Sequence, residues 1–153
     1  MTEETVATKT IFIGSSAAAR PQSKAFIERF EGPPLAFLPW WEAFTAGRTL
    51  LEALDEIKDR IDGAVLLMSP ESETTVRGKT VAIPNLNVLF ELGFFSGHLG
   101  RRKVAMVRYG DFYLPSDLGG YIHISGSSVF RRGSVQKIGK RTAQEFARWV
   151  EQV

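Results

Sequence analysis

Cysteine is absent from the chain, which excludes disulfides, thiolate metal sites and cysteine nucleophiles. Histidine is nearly absent. His98 and His123 lie far apart in sequence and offer little for a histidine zinc site or a Ser-His-Asp triad, so no metal is expected. No run approaches the roughly 20 apolar residues that span a bilayer. The N-terminal MTEETVATKT is polar and lacks an apolar signal core. A soluble cytoplasmic protein without membrane association is expected. Acids are missing from Leu118 to Gln144, the stretch that holds Arg131, Arg132, Lys137, Lys140 and Arg141, although the net charge is only +2. That stretch reads either as a solvated loop and helix start or as a surface that attracts phosphate or a partner. Aromatics are not interleaved with these bases, so nucleic-acid binding is not expected.

What is present, 153 residues with 44% hydrophobic content, suits one compact domain with its own core. A polar segment over 1–8 precedes a domain over 9–153. KTIFIGSS reads as a buried strand stopped by Gly14 and two serines. Pro21 opens a helix that Gly32-Pro33-Pro34 ends. LAFL is a second strand and PWWEAFTAGR a long loop. Thr49 and Glu52 form a capping box for a helix with Leu50, Leu54, Ile57 and Ile61 on one stripe. Asp62-Gly63 closes that helix. AVLLMS is apolar without alternation, as in a strand covered on both faces. PESETTVRGKTVAIP reads as a long polar loop, and NLNVLFELGFFSG as a helix. KVAMVRY and YIHIS follow as strands, and ARWVEQV as an amphipathic helix.

Strands alternating with helices predict a parallel sheet wrapped on both faces. Five strands suit an α/β, flavodoxin-like sheet of order 2-1-3-4-5, whose ligands bind beyond the carboxyl ends of the strands beside the first one. The expected pocket therefore draws on Gly14-Ser15-Ser16, the PWWEAF loop, the loop after Met68 and the start of the helix bearing Glu91. Neither GxxxxGK[ST] nor GxGxxG follows the first strand, and the acids of a phospho-receiver are missing there. The GSS turn suits either a phosphate or a simple tight turn.

Glu91 is the only charged side chain between Lys79 and His98. An ionised carboxylate in so apolar a segment is costly unless something pairs with it or uses it. In a helix it shares a face with Asn87, Phe94 and His98. It is either a structural carboxylate bonded to backbone or to a cation such as Arg77, or a working group.

GSS after the first strand, the Arg77-Gly78 loop, NVLFELGFFSGHLG, and LPSDLGGYIHI after the fourth strand together resemble the bacterial TIR-like domains of anti-phage effectors. In those CBASS- and Pycsar-type proteins a TIR domain is joined to a STING-type or other cyclic-nucleotide sensor. The resemblance runs from about Lys9 to Ser125. Its most specific element is N-x-x-F-E-L-G, at Asn87, Phe90, Glu91, Leu92 and Gly93. It implies a TIR fold and hydrolysis of NAD⁺ to nicotinamide and ADP-ribose, with Glu91 catalytic. NAD⁺ is then the substrate and no cofactor is needed. It further implies a homo-oligomer held by TIR–TIR contacts, and a cyclic-nucleotide sensor in the same chain or as a partner. Gly14, Ser15 and Ser16 would face phosphates or ribose. Trp40, Trp41 and Phe44 would offer rings to a base, or pack in the core. Arg77 would pair with pyrophosphate or stay solvated. Asn87 would position substrate or cap its helix, and Asp117 would contact a ribose hydroxyl or cap a turn.

Two other functions fit the same residues. In a nucleoside deoxyribosyltransferase-like enzyme, a glutamate in a similar sheet attacks C1′ of a nucleoside. A TIR scaffold would assemble with other TIR domains and turn nothing over.

Overall fold

A computed structural model describes residues 7–128, 130–131 and 134–153, the side chains of Asp117 and Gly119 excepted. Most of the polar segment 1–8, and Arg132, therefore lie outside the described residues. The first strand, β1 (Lys9–Gly14), leads into α1 (Arg20–Phe30), and Gly32 and the two prolines after it return the chain to β2 (Leu35–Pro39). A short helix, α2 (Trp40–Ala43), precedes α3 (Leu50–Ile57) and β3 (Gly63–Met68). Then come β4 (Ser72–Val76), β5 (Lys79–Ile83), α4 (Leu86–Leu99), β6 (Val104–Arg108), β7 (Ile122–Ser125) and α5 (Lys140–Val150).

Five strands pair in parallel in the order β2-β1-β3-β6-β7, the 2-1-3-4-5 sheet expected from the alternation of strands and helices. Side chains along a strand alternate between faces, and the sheet splits its core accordingly. Phe12, Leu66 and Met106 face one layer with Leu54 of α3 and Leu92 and Phe95 of α4. Ile11, Val65 and Val107 face the other, with Phe26 of α1 and Phe146 and Trp149 of α5. Every residue of β3 is buried, which explains why that strand shows no polar alternation.

Three local readings are corrected. PESETTVRGKTVAIP is not a loop but an antiparallel hairpin, β4 against β5, with Val76 opposite Lys79. Its two turn residues, Arg77 (φ 50°) and Gly78 (φ 77°), both take the positive φ that two-residue hairpin turns favour. The hairpin stands out from the main sheet and most of its residues are solvated, so no apolar alternation marks it. The PWWEAF stretch contains one helical turn, closed by a bond from Phe44 N–H to the Trp40 carbonyl, 2.9 Å. The helix capped by Thr49 and Glu52 has its capping box but ends at Ile57 rather than at Ile61. Asp62 draws the chain onto the sheet instead, its carboxylate accepting from Thr10 N–H at 2.8 Å. Ile61 still reaches the core.

Candidate functional site

Where β1 ends, Gly14-Ser15-Ser16 faces the first turns of α2 and α4 across a cleft of about 270 Å³ at the carboxyl edge of the sheet. Ser15, Ser16 and Ala17 form one wall, Trp40, Phe44 and Leu50 a second, and Asn85, Asn87, Val88 and Glu91 a third. The topology brings these segments together because β1 and β3 are central and their outgoing loops leave on the same side.

Asn85 starts α4. Its Oδ1 accepts from the N–H groups of Asn87 at 2.9 Å and Val88 at 3.2 Å, satisfying two donors of the first turn. Asn85 is thus the cap; Asn87 is not, and lies exposed at the rim of the cleft. From that start the helix carries Glu91 inward, under the β1 turn.

Glu91 is only 3% exposed. Its Oε2 is buried and has no hydrogen-bond partner. Burial alone raises its carboxyl from the ordinary 4.5 to about 8. Neither the Arg77 pairing nor a backbone bond to Oε2, the structural alternatives weighed for this residue, occurs. Glu91 fits so close to β1 because residue 14 has no side chain: a Cβ there would lie 2.5 Å from Oε2.

The serine wall is internally bonded. Ser15 Oγ donates to the Ser16 carbonyl at 3.0 Å and accepts from Trp40 Nε1 at 2.9 Å. Ser16 Oγ donates to Glu71 Oε1 and accepts from Ala19 N–H at 3.2 Å. Glu71 also accepts from Ser69 Oγ at 3.4 Å, while its own N–H donates to the Ile83 carbonyl at the hairpin base, 2.9 Å. Sequence reasoning missed Glu71 and Asn85. An asparagine two residues before Asn87 was a usable sign for the cap, but nothing local marked Glu71.

Two of the expected site residues lie elsewhere. Trp41 turns to the far side of β2, where the Arg20 guanidinium sits 4.9 Å and the Lys24 ammonium 5.9 Å from its ring centre. Consecutive residues in a single helical turn point about 100° apart, so Trp40 and Trp41 cannot both face the cleft. Arg77 occupies the hairpin tip beside Lys79 and Tyr113, away from the cleft. Asp117 falls in the short 3₁₀ turn Ser116–Gly120, and its side chain lies outside the described residues. The basic residues Arg131, Lys137, Lys140 and Arg141 are exposed and do not line the cleft. Among the described residues no helix is long and apolar enough to cross a membrane.

Residues 10–128 match the family described as CAP12/Pycsar effector protein, TIR domain. The Pycsar effector protein PaPycTIR of Pseudomonas aeruginosa is 35% identical over 113 residues, covering 72% of this chain and 37% of the relative. CD-NTase-associated protein 12 of Sphingobacterium faecium is 31% identical over 112 residues, 73% of this chain and 34% of its own. The Pycsar effector protein BcPycTIR of Burkholderia cepacia is 31% identical over 113 residues, 72% of this chain and 37% of the relative. The chain thus spans little more than a third of the length of these curated relatives.

Proposed function

Because the chain belongs to the TIR-domain family of CAP12/Pycsar effector proteins, we propose that its carboxyl-edge cleft hydrolyses NAD⁺ to nicotinamide and ADP-ribose, in the service of anti-phage defence. The observation that carries this reading is Glu91: a dry carboxylate with an unpartnered oxygen, at the floor of a cleft with the rings of Trp40 and Phe44 in one wall.

A single carboxylate is enough for this chemistry. Glycosidases need an acid to protonate a poor alkoxide leaving group. Nicotinamide leaves a pyridinium as a neutral molecule and needs no such acid. The C1′–N bond breaks with its electron pair going to the ring nitrogen, and positive charge gathers on the ribosyl carbon and ring oxygen. An anion held beside that centre in a dry setting stabilises the transition state. Water then bonds to C1′ and gives up a proton. The resting Glu91 carboxyl, raised to about 8, is mostly protonated at neutral pH. An arriving pyridinium supplies the missing opposite charge and favours ionisation. In this scheme Trp40 and Phe44 receive the nicotinamide ring, Ser15 and Asn87 face the ribose, and Gly14 gives Glu91 its room.

Assembly belongs to the same reading. The α2 turn borders the cleft, and a neighbouring copy packed against it would complete the site. A cyclic-nucleotide sensor, STING-type or other, in the same polypeptide or on a cytoplasmic partner, would drive that assembly. Three relatives are named CD-NTase-associated protein 12, which supports a link to cyclic-nucleotide signalling.

The test compares the chain free in dilute solution with the chain tethered densely to vesicles, each given NAD⁺ or nucleosides. Nicotinamide should appear from NAD⁺ on the crowded surface, and Glu91→Gln should lower turnover on the order of 10²–10³-fold. Base exchange on nucleosides would instead identify a deoxyribosyltransferase-like enzyme, and inertness in every arm a scaffold. Near-normal nicotinamide release by folded Glu91→Gln would sink the mechanism.

A further inference from the structure

Glu71 lies between β3 and the hairpin, outside the cleft lining. Its N–H donates to the Ile83 carbonyl at 2.9 Å and so joins the two hairpin strands at their base. Its Oε1 accepts from Ser16 Oγ and, at 3.4 Å, from Ser69 Oγ. Hydrogen bonds to a carboxylate are roughly twice as strong as neutral ones, so Ser16 is held firmly. The Ser16 carbonyl accepts from Ser15 Oγ at 3.0 Å, and Ser15 Oγ accepts from Trp40 Nε1 at 2.9 Å. A serine hydroxyl has one proton, and an indole N–H can only donate. Each bond in this series therefore orients the next. With its proton on the Ser16 carbonyl, Ser15 turns lone pairs towards the indole.

The far end of the series depends on this support. Trp40 opens a helix of only four residues, which has no side-chain cap and one closing bond, from Phe44 N–H to the Trp40 carbonyl. That bond fixes the backbone and leaves the side chain its choice of rotamer. Among the described residues the one hydrogen bond of the Trp40 side chain is to Ser15. Resting on the NAD⁺ reading, we propose that Glu71 is a positioning residue of the site: through Ser16 and Ser15 it aims the Trp40 indole at the nicotinamide ring. The aiming happens within one chain. A neighbouring copy that packs against α2 then meets an indole already in place.

The experiment crowds the full chain on vesicles and measures KM and kcat for nicotinamide release from NAD⁺. In parallel, NMR of the isotope-labelled chain in dilute solution follows the indole N–H resonances. Glu71→Ala should raise KM about threefold to tenfold, a coupling usual within one hydrogen-bond network, and leave kcat within about twofold. Glu71→Gln keeps an uncharged acceptor and should hold KM within about twofold of the wild type. Trp40→Phe keeps a ring and lacks the donor, so adding Glu71→Ala to it should change KM no further. The Trp40 resonance should shift in Glu71→Ala, and by less in Glu71→Gln. That of Trp149, whose Nε1 donates to the Arg102 carbonyl at 3.0 Å, should stay in place. A stationary Trp40 resonance, or a KM effect of Glu71→Ala that persists in full in Trp40→Phe, overturns the inference while leaving NAD⁺ hydrolysis intact. Should Glu71→Ala fail to fold, the Trp40 resonance in Glu71→Gln decides in its place. A wild-type chain that releases no nicotinamide overturns the NAD⁺ reading itself, and this role with it.

Discussion

Gly14 and Glu91 share one small space. A Cβ at position 14 would lie 2.5 Å from Glu91 Oε2, 2.6 Å from Leu66 Cδ1 and 2.9 Å from a Phe12 ring carbon. The last two belong to the packed core and have little freedom to move, so the carboxylate can lie against β1 only while residue 14 lacks a side chain. Gly14→Ala should cost about 1–3 kcal/mol through overpacking. It should also displace Glu91 and remove turnover. Thermal melting with a parallel NAD⁺ assay checks both. An alanine variant that melts like the wild type would refute the close approach.

Glu91 should make stability depend on pH. Its folded-state value, about 8, lies above the ordinary 4.5, so between those limits the folded chain keeps a proton that the unfolded chain has lost. The stabilisation is complete below about pH 4.5 and is lost as pH rises through about 8. At about 1.4 kcal/mol for each tenfold change in proton affinity, the loss is on the order of a few kcal/mol. Glu91→Gln should be insensitive to this effect. Denaturant unfolding at pH 5 and pH 8.5 should therefore show the variant gaining stability relative to the wild type at the higher pH. Parallel curves for the two proteins would mean that Glu91 is not buried as described.

The two tryptophans should separate cleanly. Trp40 lines the cleft and donates to Ser15, whereas Trp41 faces Arg20 and Lys24. Stacking on a base is worth roughly 1–3 kcal/mol, so Trp40→Ala should raise KM by about tenfold or more. Trp41→Ala should leave KM unchanged. Steady-state kinetics on both variants, with circular dichroism to establish folding, gives the answer, and equal effects would contradict the assignment.

Arg77 offers a contrast between structure and chemistry. Its φ of 50° is a conformation that asparagine tolerates better, particularly before Gly78. Arg77→Asn should hold or raise the melting temperature and leave NAD⁺ turnover intact. Loss of turnover in a stable Arg77→Asn protein would return this residue to the substrate.

Much of this arrangement was legible before the structure, for identifiable reasons. Sheet order followed from the alternation of apolar strands with helices, and the start of α3 from Thr49 and Glu52, whose bond is local. Glu91 stood out because it is a lone charge in an apolar segment. What stayed hidden depends on distance or direction. Glu71 meets Ser16 across 55 positions, and no spacing rule links them. Which tryptophan faces the cleft is set by where one short helical turn begins. The hairpin escaped because β4 is almost wholly exposed and β5 turns only Ala82 to the core, too little for an apolar alternation to mark either strand.

The helix that bears Glu91 packs on β3 and β6 alike. Glu91 lies against Gly14 of β1 in the space that Phe12 and, on β3, Leu66 also border, so its dry seat exists only once these strands and α4 have packed together. Closing the sheet then takes up a proton at neutral pH. Folding thus sets the charge of this side chain: an ordinary carboxylate in the unfolded chain, it holds a proton at neutral pH once the sheet and α4 bury it.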